Sequence, residues 1–167
     1  MRLFAGIFPP QEALERVLEV QADLRRHVRV RASWVRSERL HITIRFFGDD
    51  GDTEEAAQVV ERAVAGVQRF SVPLSTVGGF PNVRRARVGF LDSVGCEELV
   101  NLASALEEPG GREPHPHLTL ARFRRPVALP SVQFDPVVFE VEEVSLIHSV
   151  LGGTEPGYRT VGNWALG

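Results

Sequence analysis

The chain has 167 residues, 43% hydrophobic and 25% charged, with a formal net charge of −3 at pH 7. That is the mixture of a globular chain and the size of one domain or two small lobes sharing a core, which excludes a disordered or fibrous protein. Cys96 is the only cysteine and all 19 basic residues are arginine, so an intrachain disulfide, a cysteine-rich zinc cluster, a P-loop lysine, Schiff-base chemistry and a lysyl-adenylate ligase are all excluded. No apolar run approaches the roughly 20 residues of a membrane helix. The apolar start RLFAGIF is too short for a signal-peptide core. The expectation is a soluble, cytoplasmic protein with no membrane partner and no obligate protein partner evident.

Residues 2–8 read as a strand, and Pro9 and Pro10 introduce a helix carrying Leu14, Val17, Leu18, Leu24 and Val28 at helical spacing. In 40–47, LHITIRFF, Leu40, Ile42, Ile44 and Phe46 alternate with His41, Thr43, Arg45 and Phe47. Gly48 ends that strand. Asp52 with Glu55 marks a second helix start, ahead of Ala56, Val60, Ala63, Val64 and Val67. Strands are predicted near 71–78 and 86–92, and a helix over 96–107 with Leu99, Leu102 and Leu106 inward. Pro109, Gly110 and Gly111 form a loop, and 117–123, HLTLARF, alternate again. From Val132 onward the chain is strand-like, with turns at 152–153 and 156–157. Strand, helix and LHITI in the first part echo strand, helix and PHLTL in the second, with His41 and His117 76 residues apart. An approximate duplication places two βαβ-like lobes around a shared cleft, within one bilobal domain over 1–167.

Charge is unevenly spread. Arg25, Arg26, Arg29, Arg31, Arg36 and Arg39 form one arginine cluster, Arg84, Arg85 and Arg87 a second, and Arg122, Arg124 and Arg125 a third. Acids gather at Asp49, Asp50, Asp52, Glu54 and Glu55. Local basic patches on a near-neutral protein suit a short phosphate-bearing ligand, or are simply solvated faces.

Five histidines and six threonines give a chance expectation of roughly 0.2 His-x-Thr pairs, yet the chain holds two, His41/Thr43 and His117/Thr119. Each places His and Thr on one strand face with apolar anchors on the other. Two imidazoles from facing strands serve as acid and base near neutral pH. Two threonine hydroxyls donate to the non-bridging oxygens of a phosphate between them.

With these motifs in view, WVRSERLHITIRFFGD and EPHPHLTLARF resemble the two signature strands of the two-histidine phosphoesterase superfamily. Within it the chain is similar to the RNA 2′,3′-cyclic phosphodiesterases, also known as 2′-5′ RNA ligases. The opening RLFAGIF and the tail with Ser149 and Tyr158 extend the likeness. The resemblance implies an α+β fold of two pseudo-symmetric, mainly antiparallel sheets facing a central cleft, with helices outside. It implies His41 and His117 as catalytic residues, with His41 the donor and His117 the acceptor, while alternation alone leaves the two imidazoles equivalent. Thr43 and Thr119 would bind phosphate. It also implies metal-independent hydrolysis of an RNA terminal 2′,3′-cyclic phosphate to a 2′-phosphomonoester, with no cofactor. ATP-independent 2′-5′ joining and a non-catalytic RNA-end binding module are the alternatives. The stretch LEEPGGREPHPH is shorter than the family leads one to expect, which bears on the cleft wall and on preferred RNA length.

Arg45 and Arg122 follow the two motifs as candidates for substrate binding or for ion pairs. Strict alternation puts Arg45 on the His41 face and Arg122 on the Leu118 face. His115 is read as a loop histidine or one supporting His117, with a metal ligand the lesser alternative for want of a cysteine and an acidic partner. Trp34, Phe47 and Tyr158 either stack on a base or pack in the core. His27 and His148 read as surface or packing residues, with the segment of His148 approaching the cleft.

Overall fold

A computed structural model describes residues 2–152 and 157–167; the predicted turns at 152–153 and 156–157 fall partly outside the described residues. In chain order it has β1 (Arg2–Ile7), α1 (Gln11–His27), β2 (Ala32–Trp34), a single 3-10 turn at Ser37–Arg39, β3 (Ile42–Gly48), α2 (Thr53–Val64), β4 (Phe70–Leu74), β5 (Thr76–Phe80), β6 (Ala86–Asp92), α3 (Glu97–Leu106), β7 (His117–Val127), β8 (Val137–Val141), β9 (Glu143–Val150) and β10 (Gly157–Ala165). The main sheet has the order β10-β9-β1-β3-β7-β6-β5, with β2 also paired to β7, and β4 pairs with β8 in a second sheet. The fold is α+β with two antiparallel sheets. Among the described residues, no helix is long and apolar enough to cross a membrane.

The helices follow from local chemistry. Pro10 is the N-cap of α1, and Ala13, Val17, Val20 and Leu24 form its buried stripe. The Asp52 carboxylate accepts from the Glu55 backbone N–H at 2.9 Å, capping α2. The predicted 71–78 strand divides, because Ser75 N–H donates across to Asp92 O and the chain passes from the small sheet to the large one. Both halves of the sequence echo are present as β1-α1-β3 and β6-α3-β7. In each, the two strands pair antiparallel rather than in the parallel manner of a βαβ crossover.

The two halves meet at β3 and β7, in a short ladder with Ile42 opposite Leu118 and Thr43 opposite His117. Leu40, Ile42, Ile44, Leu118 and Leu120 are buried beneath it in the core that α1, α2 and α3 also line. Each central strand then carries a β-bulge three residues after its histidine. Ala5 faces Arg45 and Gly6 faces Thr43, so Ile44 is an extra residue. Gly89 faces Ala121 and Phe90 faces Thr119, so Leu120 is another. A bulge reverses the alternation beyond it. The residue five after each histidine, Phe46 or Arg122, therefore returns to the motif face.

The bulge in β7 is held from behind. The Leu120 carbonyl accepts from Val35 N–H at 2.9 Å and from Gln21 Nε2 of α1 at 3.0 Å, and the same amide donates to Val35 O at 2.8 Å. Gln21 is one of only three buried polar side chains among the described residues, and its two bonds explain why a polar group is tolerated there. Gln21→Leu removes both bonds while keeping the volume. It is expected to lower unfolding stability by about 1–3 kcal/mol in urea titrations, and an unchanged midpoint would contradict this account of the bulge.

Candidate active site

The register of the β3–β7 ladder builds the site. Thr43 stands beside His117, and the same register continued one step beyond the ladder sets His41 beside Thr119. Four polar side chains thus occupy one face, with the two histidines on a diagonal. Diagonal neighbours on paired strands lie roughly 7–8 Å apart, a gap of the size of a phosphate group. All four line one cleft of ≈ 470 Å³, together with Arg2, Arg39, Phe46, Arg122, Ser149 and Tyr158 among others.

Both imidazoles are oriented by the same device. His41 Nδ1–H donates to Arg39 O at 2.6 Å, and His117 Nδ1–H donates to His115 O at 2.7 Å. A carbonyl only accepts, so Nδ1 carries the proton in each neutral ring and Nε2 offers its lone pair. In His41 that lone pair accepts from the Thr43 hydroxyl at 2.8 Å. Each ring also sits among aromatics. Phe4 and Phe8 stack on His41 at 4.7 and 5.3 Å with Tyr158 edge-on at 5.5 Å, and Phe80 and Phe90 lie 4.9 and 4.8 Å from His117. Gly6 leaves room for this packing: a Cβ there would stand 3.2 Å from His41 Cδ2.

Burial in these apolar walls disfavours the imidazolium. It lowers His41 from 6.5 to about 4, against the opposing pull of the Arg39 carbonyl, and the neighbouring His117 lowers it further. His117 is also lowered, again chiefly by burial, while the His115 carbonyl raises it. Both rings are therefore neutral at pH 7 in the free protein. Because the folded pKa of His41 lies below its unfolded value, the unfolded chain binds more protons between pH 6.5 and 4. Stability is thus complete above about 6.5 and is lost as pH falls toward 4, by up to about 3 kcal/mol. NMR titration of the imidazoles is expected to place the His41 midpoint near 4, rising when inorganic phosphate occupies the cleft. A midpoint at or above 6.5 in the free protein would overturn this picture.

The structure separates the two arginine candidates and reverses their faces. Arg45 does not reach the cleft. The bulge at Ile44 turns it to the helix side, where Nη1 donates to Leu106 O at the end of α3 and pairs with Glu107 at 3.5 Å, while Nη2 lies 3.9 Å from Glu108. Its guanidinium lies over Phe47 at 5.0 Å. An arginine on the last carbonyls of a helix satisfies an orphan acceptor and complements the dipole, so Arg45 is a structural clamp and its expected substrate-binding role is withdrawn. Arg122, assigned by alternation to the opposite face, lines the cleft because the bulge at Leu120 restores it. Arg45→Met is expected to cost about 1–3 kcal/mol of stability while sparing phosphate binding, and Arg122→Met the reverse. Calorimetry of folding and of phosphate binding on both variants distinguishes them.

Other residues resolve as follows. His115 has an acidic partner after all: strand pairing brings Asp92 to it, 3.0 Å from Nε2, and its carbonyl orients His117. No group of three or more potential metal ligands occurs among the described residues. Tyr158 lines the cleft, whereas Trp34 packs edge-on to Phe123 at 6.1 Å and Phe47 sits under Arg45. His27 is exposed and bonded to Asp23 O. His148 lies 3.4 Å from Thr53 Oγ1 at the start of α2, and its neighbour Ser149 faces the cleft instead. The short stretch flagged before the second motif forms the wall of an adjoining cavity, with Arg112, Glu113, Pro114 and His115 beside His117 and Phe80. Sequence reasoning missed Arg2 and Phe46, and it placed Arg39 in a basic cluster without assigning it to the site. A signal for Arg39 was present: it stands two before His41 as His115 stands two before His117.

The chain is similar in sequence and in fold to known proteins. Residues 7–90 match the family model described as LigT-like phosphoesterase. An RNA 2′,3′-cyclic phosphodiesterase of Aeropyrum pernix is 31% identical over 153 residues, covering 81% of this chain and 86% of that one. One of Thermus thermophilus is 30% identical, covering 99% and 90%. Among solved structures, a Thermus thermophilus protein superposes with a TM-score of 0.80 at 28% identity, covering 99% and 98% of the two chains. Escherichia coli LigT complexed with 3′-AMP superposes at 0.78 and 26%, covering 99% and 97%.

Proposed function

The chain belongs to the LigT-like phosphoesterase family, and from that premise we propose that it hydrolyses the terminal 2′,3′-cyclic phosphate of RNA to a 2′-phosphomonoester. The observation that carries this reading is the pair of His-x-Thr strands on one face of one cleft, each imidazole presented with Nε2 free of its own proton. The relatives named RNA 2′,3′-cyclic phosphodiesterase support the substrate class.

In this mechanism the cyclic phosphate lies between the two motifs. Thr43 and Thr119 donate to its non-bridging oxygens. His117 Nε2 takes a proton from water as the water oxygen bonds to phosphorus. The bond from phosphorus to the 3′ oxygen breaks, and His41 Nε2–H returns a proton to that oxygen. His41 needs a proton to act so, and an anion beside it favours the imidazolium that burial disfavours in the free protein. The assignment of donor and acceptor follows the family resemblance. The two proton transfers account for the chemistry within the chain's own side chains, so turnover is expected to survive chelation by EDTA. The whole chain, 1–167, acts as one unit in this reading, since both halves of the echo contribute a histidine.

His41→Ala and His117→Ala are each expected to lower kcat/KM by roughly 10²–10⁴-fold on an RNA ending in a 2′,3′-cyclic phosphate, with product analysis showing a 2′-phosphate. A variant retaining more than about a tenth of the activity would remove that histidine from the mechanism. Because both imidazoles are lowered in the free protein, the bell-shaped pH profile of kcat/KM is expected to peak on the acid side of 6.5. A profile flat from pH 5 to 9, with chemistry rate-limiting, contradicts the acid–base pair.

A further inference from the structure

The cleft has two pseudo-equivalent exits, one along β3 past Phe46 and one along β7 past Arg122, each at the fifth position after its histidine. Their charges are opposite. The β3 exit runs to Asp49, Asp50 and Asp52 with Glu54 and Glu55, all exposed, and its one cleft arginine, Arg2, is paired with Asp49 at 3.4 Å. The β7 exit runs to Arg124. There β2 takes over from β3 as the neighbour of β7, with Ser33 opposite Arg122 and the Arg31 carbonyl accepting from Arg124 N–H. Residues opposite one another in a ladder share a face, so Ser33, Arg122, Arg124 and Arg31 continue the cleft face outward. All four are exposed. Among the described residues, none of Arg31, Arg122 and Arg124 has a carboxylate within 4.0 Å. Two arginine clusters that are 91 positions apart in sequence, counting from Arg31 to Arg122, thus become one unneutralised strip on a protein of net charge −3.

We propose that this strip is the track for the phosphodiesters immediately 5′ of the terminal nucleotide, so that a single-stranded RNA end is preferred over a free cyclic nucleotide. Arg122 and Arg124 are two strand rises apart, roughly 6.6 Å, which is the scale on which a stretched single strand spaces its phosphates. The acids at the other exit repel the same chain. RNA therefore leaves the cleft along β7 toward β2. A positively charged groove that follows the backbone carries no sequence information, so the track selects for length and not for base. This inference rests on the proposed cyclic phosphodiesterase reading.

The test uses the full chain and an Arg31→Gln/Arg124→Gln double variant, with Arg31→Lys/Arg124→Lys as the charge-preserving control. Anisotropy with a fluorescein-labelled ten-nucleotide RNA ending in a 2′-phosphate is read across salt concentrations. The double glutamine variant is expected to lose about 1.4 from the slope of log affinity against log salt, 0.7 per arginine, and the lysine variant to keep it. Turnover of the matching cyclic-phosphate RNA is expected to fall about tenfold at low salt, while cytidine 2′,3′-cyclic phosphate is turned over as by the unmodified protein. An unchanged salt slope, or equal losses on both substrates, overturns the track. So does intact RNA binding with lost affinity for phosphatidylserine vesicles, which would assign the strip to a membrane surface. If the unmodified protein turns over neither substrate yet binds RNA with the expected slope change, the cyclic phosphodiesterase reading falls and the track stands.

Discussion

The cleft face that carries both histidines depends on a ladder of two residue pairs. Ile42 opposite Leu118 and Thr43 opposite His117 are the junction through which β3 and β7 join the two wings of the sheet. Side chains alternate with a period of two, so a slip of one residue in either strand would carry its His and Thr into the core and its leucines or isoleucines into the cleft. Ile42 and Leu118 are fully buried, and the apolar surface they would expose sets the penalty for slipping, roughly 1.5–3 kcal/mol for each such side chain. The square of two histidines and two threonines is thus held in register by the hydrophobic residues between its corners.

Within that register the protein keeps two basic rings uncharged and aimed. Carbonyls two residues back fix both tautomers, and aromatic walls withhold the water that would stabilise an imidazolium. The arrangement costs stability at acid pH, and in exchange it leaves both rings responsive to an anion. A phosphate entering the cleft brings the charge that burial had made expensive to meet alone. The two residues whose carbonyls accept from the rings are anchored differently. Arg39 lays its guanidinium over the Tyr158 ring at 5.5 Å, whereas His115 is held by Asp92.

The paired bulges give the pseudo-symmetric halves different edges. At equivalent positions one strand presents Phe46 and the other Arg122 to the cleft, and Arg45, next to Phe46, is turned away to clamp α3. The backbone device is the same on both sides; the residues that follow it differ, and so does the electrostatic character of the two exits. Gln21 and Val35 hold the carbonyl of Leu120, which ties the outward turn of Arg122 to the buried face of α1.

The sequence by itself determined the two His-x-Thr strands, their shared face with apolar anchors behind, the helices between them and the near-duplication that brings them to one cleft. These are local or repeated signals: alternation of period two, helical spacing, the Asp52 cap, and a motif found twice. The family resemblance rested on the same residues. Only the tertiary structure decided which arginine faces the cleft. A bulge needs a partner strand against which one residue is surplus, and nothing in ITIRF or LTLAR alone marks Ile44 or Leu120 as that residue. The His115–Asp92 pair, the joining of β2 to β7 and the division of 71–78 between two sheets were hidden for the same reason. Each is an interaction between segments distant in sequence, and only pairing across the sheet creates it.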